Sequence, residues 1–247
     1  NSLSSTFSAK KRKFNENLAG WIMVSPWVLG FCFFMLGPII VSIYVSFTNY
    51  SLLARPKFIG VDNYIKMLIQ DPQVWKSMWI TTYYSFVSVP LQLILGFFLA
   101  FLLNRKIKGL SFFRTLYYLP TIISGIAIGL LWRQIFNPDF GILNYILNLF
   151  FKAGNIEWLN DEKLVIPSLI LVSLWGVGRS MVINLAGLQG ISTHLYESAE
   201  IDGCTSFKSI FHITIPMMTP IIFLNFVTGL IASFQTFTNA YVMTGGG

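Results

Sequence analysis

Five apolar runs in this chain are each long enough to cross a lipid bilayer, and they constrain the fold more than any other feature. A membrane-spanning helix needs roughly 20 apolar residues, and backbone groups in lipid must be satisfied within the segment, which favours helices. Of the 247 residues, 54% are hydrophobic and only 11% are charged, which is too apolar for a soluble domain. We therefore predict an all-α polytopic membrane helix bundle with five spans, at about residues 18–48, 78–104, 112–135, 164–188 and 217–243.

Basic residues beside the runs predict the orientation of the chain. A KKRK run at residues 10–13 comes directly before the first span, and further Lys and Arg residues bracket the turn between residues 105 and 114. Because cytoplasmic loops are enriched in Lys and Arg, we expect a cytoplasmic N-terminal segment, residues 1–17, followed by a transmembrane domain, residues 18–247. The position of the KKRK run favours a topology signal over a nucleic-acid patch, so no nucleic-acid partner is expected.

The sequence contains no motif for catalysis or nucleotide binding. Neither the phosphate-binding loop G-x-x-x-x-G-K-S/T nor the nucleophile motif G-x-S-x-G occurs. The two cysteines, Cys32 and Cys204, form no Cys/His cluster with the spacing of metal ligands. We expect no catalytic residue, no metal site and no cofactor in this chain, so any ATP hydrolysis would occur in a partner.

A charged segment broken by glycine separates the fourth and fifth spans. Residues 196–216 read YESAEIDGCTSFKSIFHITIP. Ser192 or Thr193 is in position to cap a short helix, which places the negative charge of Glu197 in the first turn, where the helix dipole favours it. Gly203 can end this helix in the left-handed conformation.

A second short helix is predicted after that glycine. Thr205 or Ser206 can cap it, and apolar residues then recur with the spacing of one helix face. We expect that face to pack on the membrane domain while the first helix faces a partner. The members of the face are Phe207, Ile210, Phe211 and Thr214.

This segment resembles the cytoplasmic coupling loop of ABC importer permeases. Members of that family carry Glu-Ala-Ala, then Asp-Gly, then Ile-x-Leu-Pro, and this chain carries Glu-Ser-Ala from residue 197, Asp-Gly from residue 202 and Ile-Thr-Ile-Pro from residue 213. Ser198 replaces Ala and Ile215 replaces Leu, and both changes are small. The resemblance implies that the loop, residues 189–216, docks on a separate ATPase. The docking residues would be Glu197, Ser198, Ala199, Asp202, Gly203, Ile213 and Pro216.

Three further stretches resemble the carbohydrate-type members of the family, which are similar to the larger maltose permease and the glycerol-phosphate permease. They are residues 58–64 (FIGVDNY), 113–120 (FRTLYYLP) and 244–247 (TGGG). The resemblance implies a multi-pass subunit of an ATP-driven oligosaccharide importer in a bacterial-type plasma membrane. Its partners would be a second related permease, two ATPase subunits that bind ATP and Mg, and an extracytoplasmic solute-binding protein. Such permeases have a sixth core span, which is expected beyond residue 247.

The resemblance also implies a sugar pathway near the bilayer midplane, where polar groups are costly unless they line a cavity. Hydroxyl groups and exposed backbone near glycine suit sugar hydroxyls, and aromatic rings can stack on the apolar faces of sugars. Small residues in membrane helices also serve close packing, so each position has this second interpretation. The positions are Thr121, Gly125, Ser173, Trp175, Gly176, Val177, Arg179, Ser180, Ser233, Phe234, Thr236 and Phe237.

Arg179 is the one charged residue inside the fourth run. An Arg at the centre of a membrane helix costs roughly 2.5–3.5 kcal/mol on insertion scales. We expect it to face the interior of the bundle, where it either binds an acidic sugar or pairs with an acid or a carbonyl of the partner permease. A position closer to the membrane interface is the third alternative.

Other functions remain open at this point. A membrane-embedded channel or enzyme would not need the segment at residues 196–216, and an intramembrane enzyme would need acids, His or metal ligands at membrane depth. An ABC permease for amino acids or peptides would share that segment. The signatures at residues 58–64 and 244–247 disfavour it.

Overall fold

The computed structural model describes residues 2–51, 54–105, 109–152 and 154–246. For residues 2–16 and 54–55 it describes the backbone only. Some residues behind the orientation and C-terminal predictions lie outside the described part: Lys106, Lys108, Gly247 and the side chains of the KKRK run. Three described helices are long and apolar enough to cross a membrane, and two bent pairs raise the number to five if each pair is one span. The predicted class of all-α polytopic membrane bundle is confirmed.

The chain divides into two compact units, Asn1–Lys76 and Ser77–Gly247. The first unit contains a long N-terminal helix with a π-helical turn, a short antiparallel hairpin and a small helical turn. In chain order these are α1 (Ser2–Phe31), a π turn (Cys32–Leu36), α2 (Gly37–Ser46), β1 (Thr48–Ser51), β2 (Ala54–Phe58), α3 (Asp62–Ile65) and a second π turn (Lys66–Gln70).

The π turn inside the first apolar run has a local cause. The backbone N–H of Gly37 donates to the carbonyl of Cys32, five residues earlier. Pro38 follows and has no N–H, so the helix loses a regular hydrogen bond at this point and accommodates an extra residue. The apolar part, Asn17–Ser46, remains continuous and long enough to cross a bilayer.

The FIGVDNY signature folds back on the end of α2. Asn63 Nδ2 donates to the carbonyls of Ser46 (2.9 Å) and Thr48 (3.0 Å), and the hydroxyls of Tyr64 and Ser46 are 2.7 Å apart. Gly60 has a φ of +62°, which allows the chain to turn after β2. Within this unit the signature therefore satisfies a carbonyl that α2 leaves free at its C-terminus, that of Ser46, and the carbonyl of Thr48 at the start of β1.

In its described part, the second unit is built from helices joined by turns and loops, and it contains no strand. α4 (Pro72–Leu103) begins near the end of the first unit and continues into the second. The elements that follow are α5 (Leu110–Tyr118), a 3₁₀ turn (Leu119–Ile122), α6 (Gly125–Ile135), α7 (Ile142–Phe151), α8 (Val165–Trp175), α9 (Gly178–Gln189), α10 (Thr193–Ile201), α11 (Ser206–Ser209), a π turn (Ile210–Thr214), α12 (Ile215–Phe234) and α13 (Thr238–Thr244).

The main core of this unit lies where α4, α9 and α12 meet. Asn225 Nδ2 donates to Asn184 Oδ1 at 3.1 Å between buried positions of α12 and α9. Such a polar pair fixes the register of two helices that otherwise pack through apolar contacts. The apolar members of the core are Leu99, Ala100, Leu103, Val177, Met181, Leu185, Leu188, Ile191 and Met218.

Three of the expected spans are interrupted. The helices on either side of Ile123 and Ser124 are bent by 100°, and those on either side of Gly176 and Val177 by 47°. Ser124 caps the new helix, since its Oγ accepts from the N–H of Ala127 (3.4 Å). The fifth expected span ends early, because α12 stops at Phe234 and a separate short helix follows. Apolar composition predicts the length of a run but not such breaks.

Candidate functional site

The charged segment forms two short helices joined by a tight turn. α10 ends in a Schellman motif, in which Cys204 N–H donates to the Ala199 carbonyl (2.8 Å) and Gly203 N–H donates to the Glu200 carbonyl (3.0 Å). Gly203 has a φ of +80°, as predicted. Thr205 caps the next helix, since its Oγ1 accepts from Lys208 N–H at 3.4 Å. The turn is therefore built by residues of the segment itself.

The predicted position of Glu197 in the first turn of α10 is wrong. The helix begins at Thr193, so Glu197 is its fifth residue, and the segment has no acidic residue in the first turn. Ser192 is the N-cap by backbone conformation but makes no side-chain capping bond. Glu197 instead lies beside His194, with Oε2 3.2 Å from Nδ1, on the exposed side of the helix. A pair this exposed contributes little to stability.

The predicted docking residues form a largely exposed surface. Ala199 and Ile213 are half-buried and the others are exposed: Glu197, Ser198, Asp202, Gly203 and Pro216. Most of these side chains are therefore free to contact a protein partner.

A tyrosine joins this surface to the membrane core. Tyr196 packs against the core cluster, and its hydroxyl is 2.9 Å from Oγ1 of Thr214, a buried residue at the base of α12. This contact links α10 directly to the start of α12. No role was predicted for Tyr196, because nothing in its local pattern indicates a partner 18 positions along the chain.

The apolar face predicted for the second helix does not pack as expected. Phe207 and Phe211 are 70% and 54% exposed and contact each other edge to face at 5.2 Å. The π turn at Ile210–Thr214 adds a residue to the turn, so the four positions no longer share one regular face. Ile210 is half-buried, and only Thr214 is buried.

The predicted pathway residues lie at helix breaks and ends. Thr121 and Gly125 flank the break before α6, and four residues from Ser173 to Val177 form the end of α8 and the break after it. Arg179 and Ser180 follow in the first turn of α9. The remaining positions, Ser233, Phe234, Thr236 and Phe237, lie between the last turn of α12 and α13. Irregular backbone at membrane depth is tolerated where it is buried in protein or lines a cavity.

A hydroxyl cluster brings two of these breaks together. The side-chain hydroxyl of Tyr84 on α4 lies beside the hydroxyls of Ser173, at the end of α8, and Thr236, after α12. Ser88, one turn along α4, also faces it. We call these four residues the Tyr84 cluster. Sequence reasoning missed Tyr84, since a tyrosine in an apolar run carries no signal of its neighbours.

Three other predicted pathway residues have packing roles. Val177 is buried in the main core, 5% exposed. Ser180 lies against Gly96 of α4, because a Cβ added at Gly96 would be 2.6 Å from the Oγ of Ser180. The same Oγ accepts a hydrogen bond from Asn184 Nδ2 (3.3 Å). Gly125 allows close approach to Asn239, whose Oδ1 would be 3.0 Å from an added Cβ. These are the close helix contacts that small residues permit.

Arg179 does not pack inside the helices of its own chain. Its side chain is exposed, and no residue in the described ranges forms an ion pair or hydrogen bond with its guanidinium. The nearby Trp175 is half-buried and contacts Trp132 edge to face at 5.9 Å. The charge therefore faces out of this chain, beside the break between α8 and α9.

Comparison with known proteins agrees with this architecture. The profile of the binding-protein-dependent transport system inner membrane component family matches residues 92–247. A probable ABC transporter permease of Bacillus subtilis, YesP, is 41% identical over 232 residues, which are 94% of this chain and 75% of that protein. The trehalose/maltose transport system permease MalF of Thermococcus litoralis is 29% identical over 239 residues, 96% of this chain and 80% of the relative.

A solved structure shows the same fold. The bacterial ABC transporter involved in the import of the acidic polysaccharide alginate superposes with a TM-score of 0.78 at 23% identity, over 94% of this chain and 82% of that one. The family match covers more than half of the chain, and the predicted family is confirmed. The chain thus belongs to the inner membrane components of binding-protein-dependent transport systems, the permease subunits of ABC importers.

Proposed function

We propose that this chain is a permease subunit of an ATP-driven importer of oligosaccharides. The observation that carries the proposal is the Tyr84 cluster, in which hydroxyl groups gather beside two helix breaks in an apolar bundle. The trehalose/maltose permease of Thermococcus litoralis, similar over nearly the whole chain, supports a carbohydrate as the class of substrate.

The chemistry of the cluster suits sugar hydroxyls. Ser173 Oγ donates to the Ile170 carbonyl (2.6 Å) and Thr236 Oγ1 donates to the Ala232 carbonyl (3.2 Å), so both oxygens remain free as acceptors. A sugar hydroxyl can donate to either oxygen and accept from Tyr84. The exposed ring of Phe237 next to Thr236 offers an apolar surface for a sugar ring.

Transport assays with matched variants test the substrate class. Thr236→Val removes a hydroxyl of the cluster, and Thr228→Val removes one that makes the same kind of bond to its own helix, to Leu224 at 2.8 Å, away from the breaks. Losing one hydrogen bond costs about 0.5–1.5 kcal/mol, so Thr236→Val should weaken apparent affinity about 2- to 10-fold. Uptake of labelled oligosaccharides and dipeptides into proteoliposomes is the measurement. Uptake of dipeptides alone, or equal effects of the two variants, would contradict the proposal.

The partners are proposed on the basis of the exposed segment. The family depends on a binding protein, and we expect an extracytoplasmic solute-binding protein, a second related permease and two ATPase subunits. Residues 193–214 present acidic side chains on a rigid turn that is tied to α12, which suits docking of a soluble motor. Purified alone in detergent, the chain should hydrolyse no ATP, and a tagged chain should co-purify with the ATPase. Substantial hydrolysis by the chain alone would contradict this arrangement.

A further inference from the structure

The helix α7 has its polarity reversed relative to a surface helix of a soluble protein. Asn144, on its inner side, is only 3% exposed, whereas Leu149 and Phe150 are 67% and 72% exposed. Five of the six exposed large apolar residues of α7 have i, i+3, i+4, i+7 and i+8 spacing and so form one continuous face, and Phe151 at the end of the helix is the sixth. The members of this apolar face are Ile142, Tyr145, Ile146, Leu149 and Phe150.

Hydrogen bonds on the inner side hold α7 in this orientation. Asn144 Nδ2 donates to the Pro138 carbonyl (3.1 Å), and Trp158 Nε1 donates to Asn144 Oδ1 (2.8 Å). Asn148 Oδ1 accepts from the N–H of Gly154 at 2.7 Å. Rolling the helix to bury its apolar face would break the hydrogen bonds of the buried Asn144, and an unpaired buried polar group costs about 1–3 kcal/mol. The hydrogen bonds of Asn144 therefore keep the apolar face of α7 pointing outward.

The helix begins directly beside the end of α6, the second arm of a bent helix pair. Gly141 N–H donates to the Asn137 carbonyl (2.9 Å), and Asn137 Oδ1 accepts from the N–H of Asp139 (2.9 Å), which closes a tight turn after α6. Leu143 packs against a cluster built around Phe136, at the end of α6. A ten-residue helix is about 15 Å long, too short to cross the hydrocarbon core. If α5 and α6 together form one bent span, α7 starts where that span leaves the membrane.

We propose that α7 is an interfacial helix whose apolar face inserts into one lipid leaflet, on the side of the membrane opposite to the charged segment at residues 196–216. Three observations favour lipid over a protein partner. The helix starts a few residues after the end of α6, its apolar face carries Tyr145, a residue type enriched at membrane interfaces, and Lys152 follows with no acidic residue between Ile142 and Lys152, which suits anionic headgroups. The helix would hold the adjoining loop, with its depression of about 440 Å³ lined by Asp139, Asn148 and Asn155, at the membrane surface.

Spin-label accessibility of the full chain, purified with its partner subunits and placed in nanodiscs, tests this proposal. In a background with Cys32→Ala and Cys204→Ser, single cysteines replace Leu149 and, separately, Ile146, and a third is placed at Asn155 on the same loop as the water-exposed control. Power saturation then compares collisions with lipid-soluble oxygen and with a water-soluble nickel chelate.

Labels at Leu149→Cys and Ile146→Cys should collide with oxygen more often, and with the chelate several-fold less often, than the label at Asn155→Cys. Chelate access equal to that of the control would show that the face meets water. Low access to both reagents would show that a protein partner covers it. Either result overturns the proposal, and having two positions guards against one variant that fails to assemble.

Discussion

The turn that ends α10 and the break that precedes α9 both depend on a glycine, but for opposite reasons. Gly203 has a φ of +80° and open space around it, so the backbone conformation itself requires glycine. Gly178 has an ordinary helical conformation, but a Cβ there would overlap the carbonyl oxygen of Tyr117 and lie 2.9 Å from Tyr118 Cα. The turn is shaped by its neighbours in sequence, and the break is shaped by a helix from a distant part of the chain.

This difference separates two ways in which a mutation can stop transport. The turn is exposed and self-contained, so changes there should alter docking while the membrane core stays folded. The break is packed backbone against backbone, so changes there should alter how α5 and α9 fit together. Four predictions, ordered by expected effect, test this distinction.

Gly178→Val should have the largest effect, because neither the Tyr117 carbonyl nor the Tyr118 backbone can rotate away from a new side chain. Overpacking typically costs 1–3 kcal/mol and sometimes more, and a backbone clash falls at the upper end. The measurement is the yield of folded protein and its thermal unfolding in detergent. Gly176→Ala is the matched control in the same break, since its nearest neighbour would be 3.6 Å away. Equal loss in both variants would mean that the break, and not the contact with α5, is sensitive.

Gly203→Val should abolish uptake and weaken ATPase association without reducing membrane insertion. A side chain in the left-handed region costs roughly 1–2 kcal/mol, which reshapes the exposed turn but not the core. Gly203→Asn is the control, because asparagine tolerates this conformation. Co-purification of the ATPase and thermal unfolding are measured together. A large fall in the thermal stability of Gly203→Val would contradict the proposal that the turn can change without affecting the membrane core.

Glu197→Lys should weaken ATPase association and uptake while leaving the turn intact. A lost charge-assisted hydrogen bond costs about 1.5–3 kcal/mol, or on the order of 10- to 100-fold in affinity. His194→Ala is the control. It removes the imidazole that lies 3.2 Å from the Glu197 carboxylate and leaves the carboxylate itself unchanged. Wild-type transport by Glu197→Lys would show that this loop is not the docking site.

Arg179→Gln should have the smallest and most selective effect, since the residue lies beside the break but faces out of the chain. If Arg179 binds an anionic sugar, uptake of acidic oligosaccharides should fall while neutral ones are transported and the complex assembles. If Arg179 pairs with the partner permease, subunit stoichiometry after purification should fall instead, because an uncompensated group is left in a low-dielectric setting. Normal assembly and normal uptake of both glycans would contradict both roles and favour snorkelling to the membrane surface.

Local patterns predicted the turn within the charged segment. A helix end at Gly203 and a second helix capped by Thr205 or Ser206 follow from short-range backbone chemistry, and in the structure Gly203 ends α10 and Thr205 is the cap. Glu197 was misplaced although the predicted N-cap was right, because a helix that begins at Thr193 completes its first turn before residue 197. The exposure of Phe207 and Phe211 was missed because a π turn changes the helical period within a few residues.

The sequence by itself determined the class of fold, the approximate spans, the family and the glycine-ended turn after α10, since apolar length, turn chemistry and motif spacing are local properties of a chain. Only the tertiary structure decided which residues from distant parts of the chain contact each other. The 100° bend before α6, the hydroxyl of Tyr84 beside Ser173 and Thr236, the packing of Val177 in the core and the outward apolar face of α7 all depend on residues far apart in sequence. In lipid, hydrophobicity does not distinguish the inside of a bundle from its outside, so contacts between helices must decide what the apolar pattern leaves open.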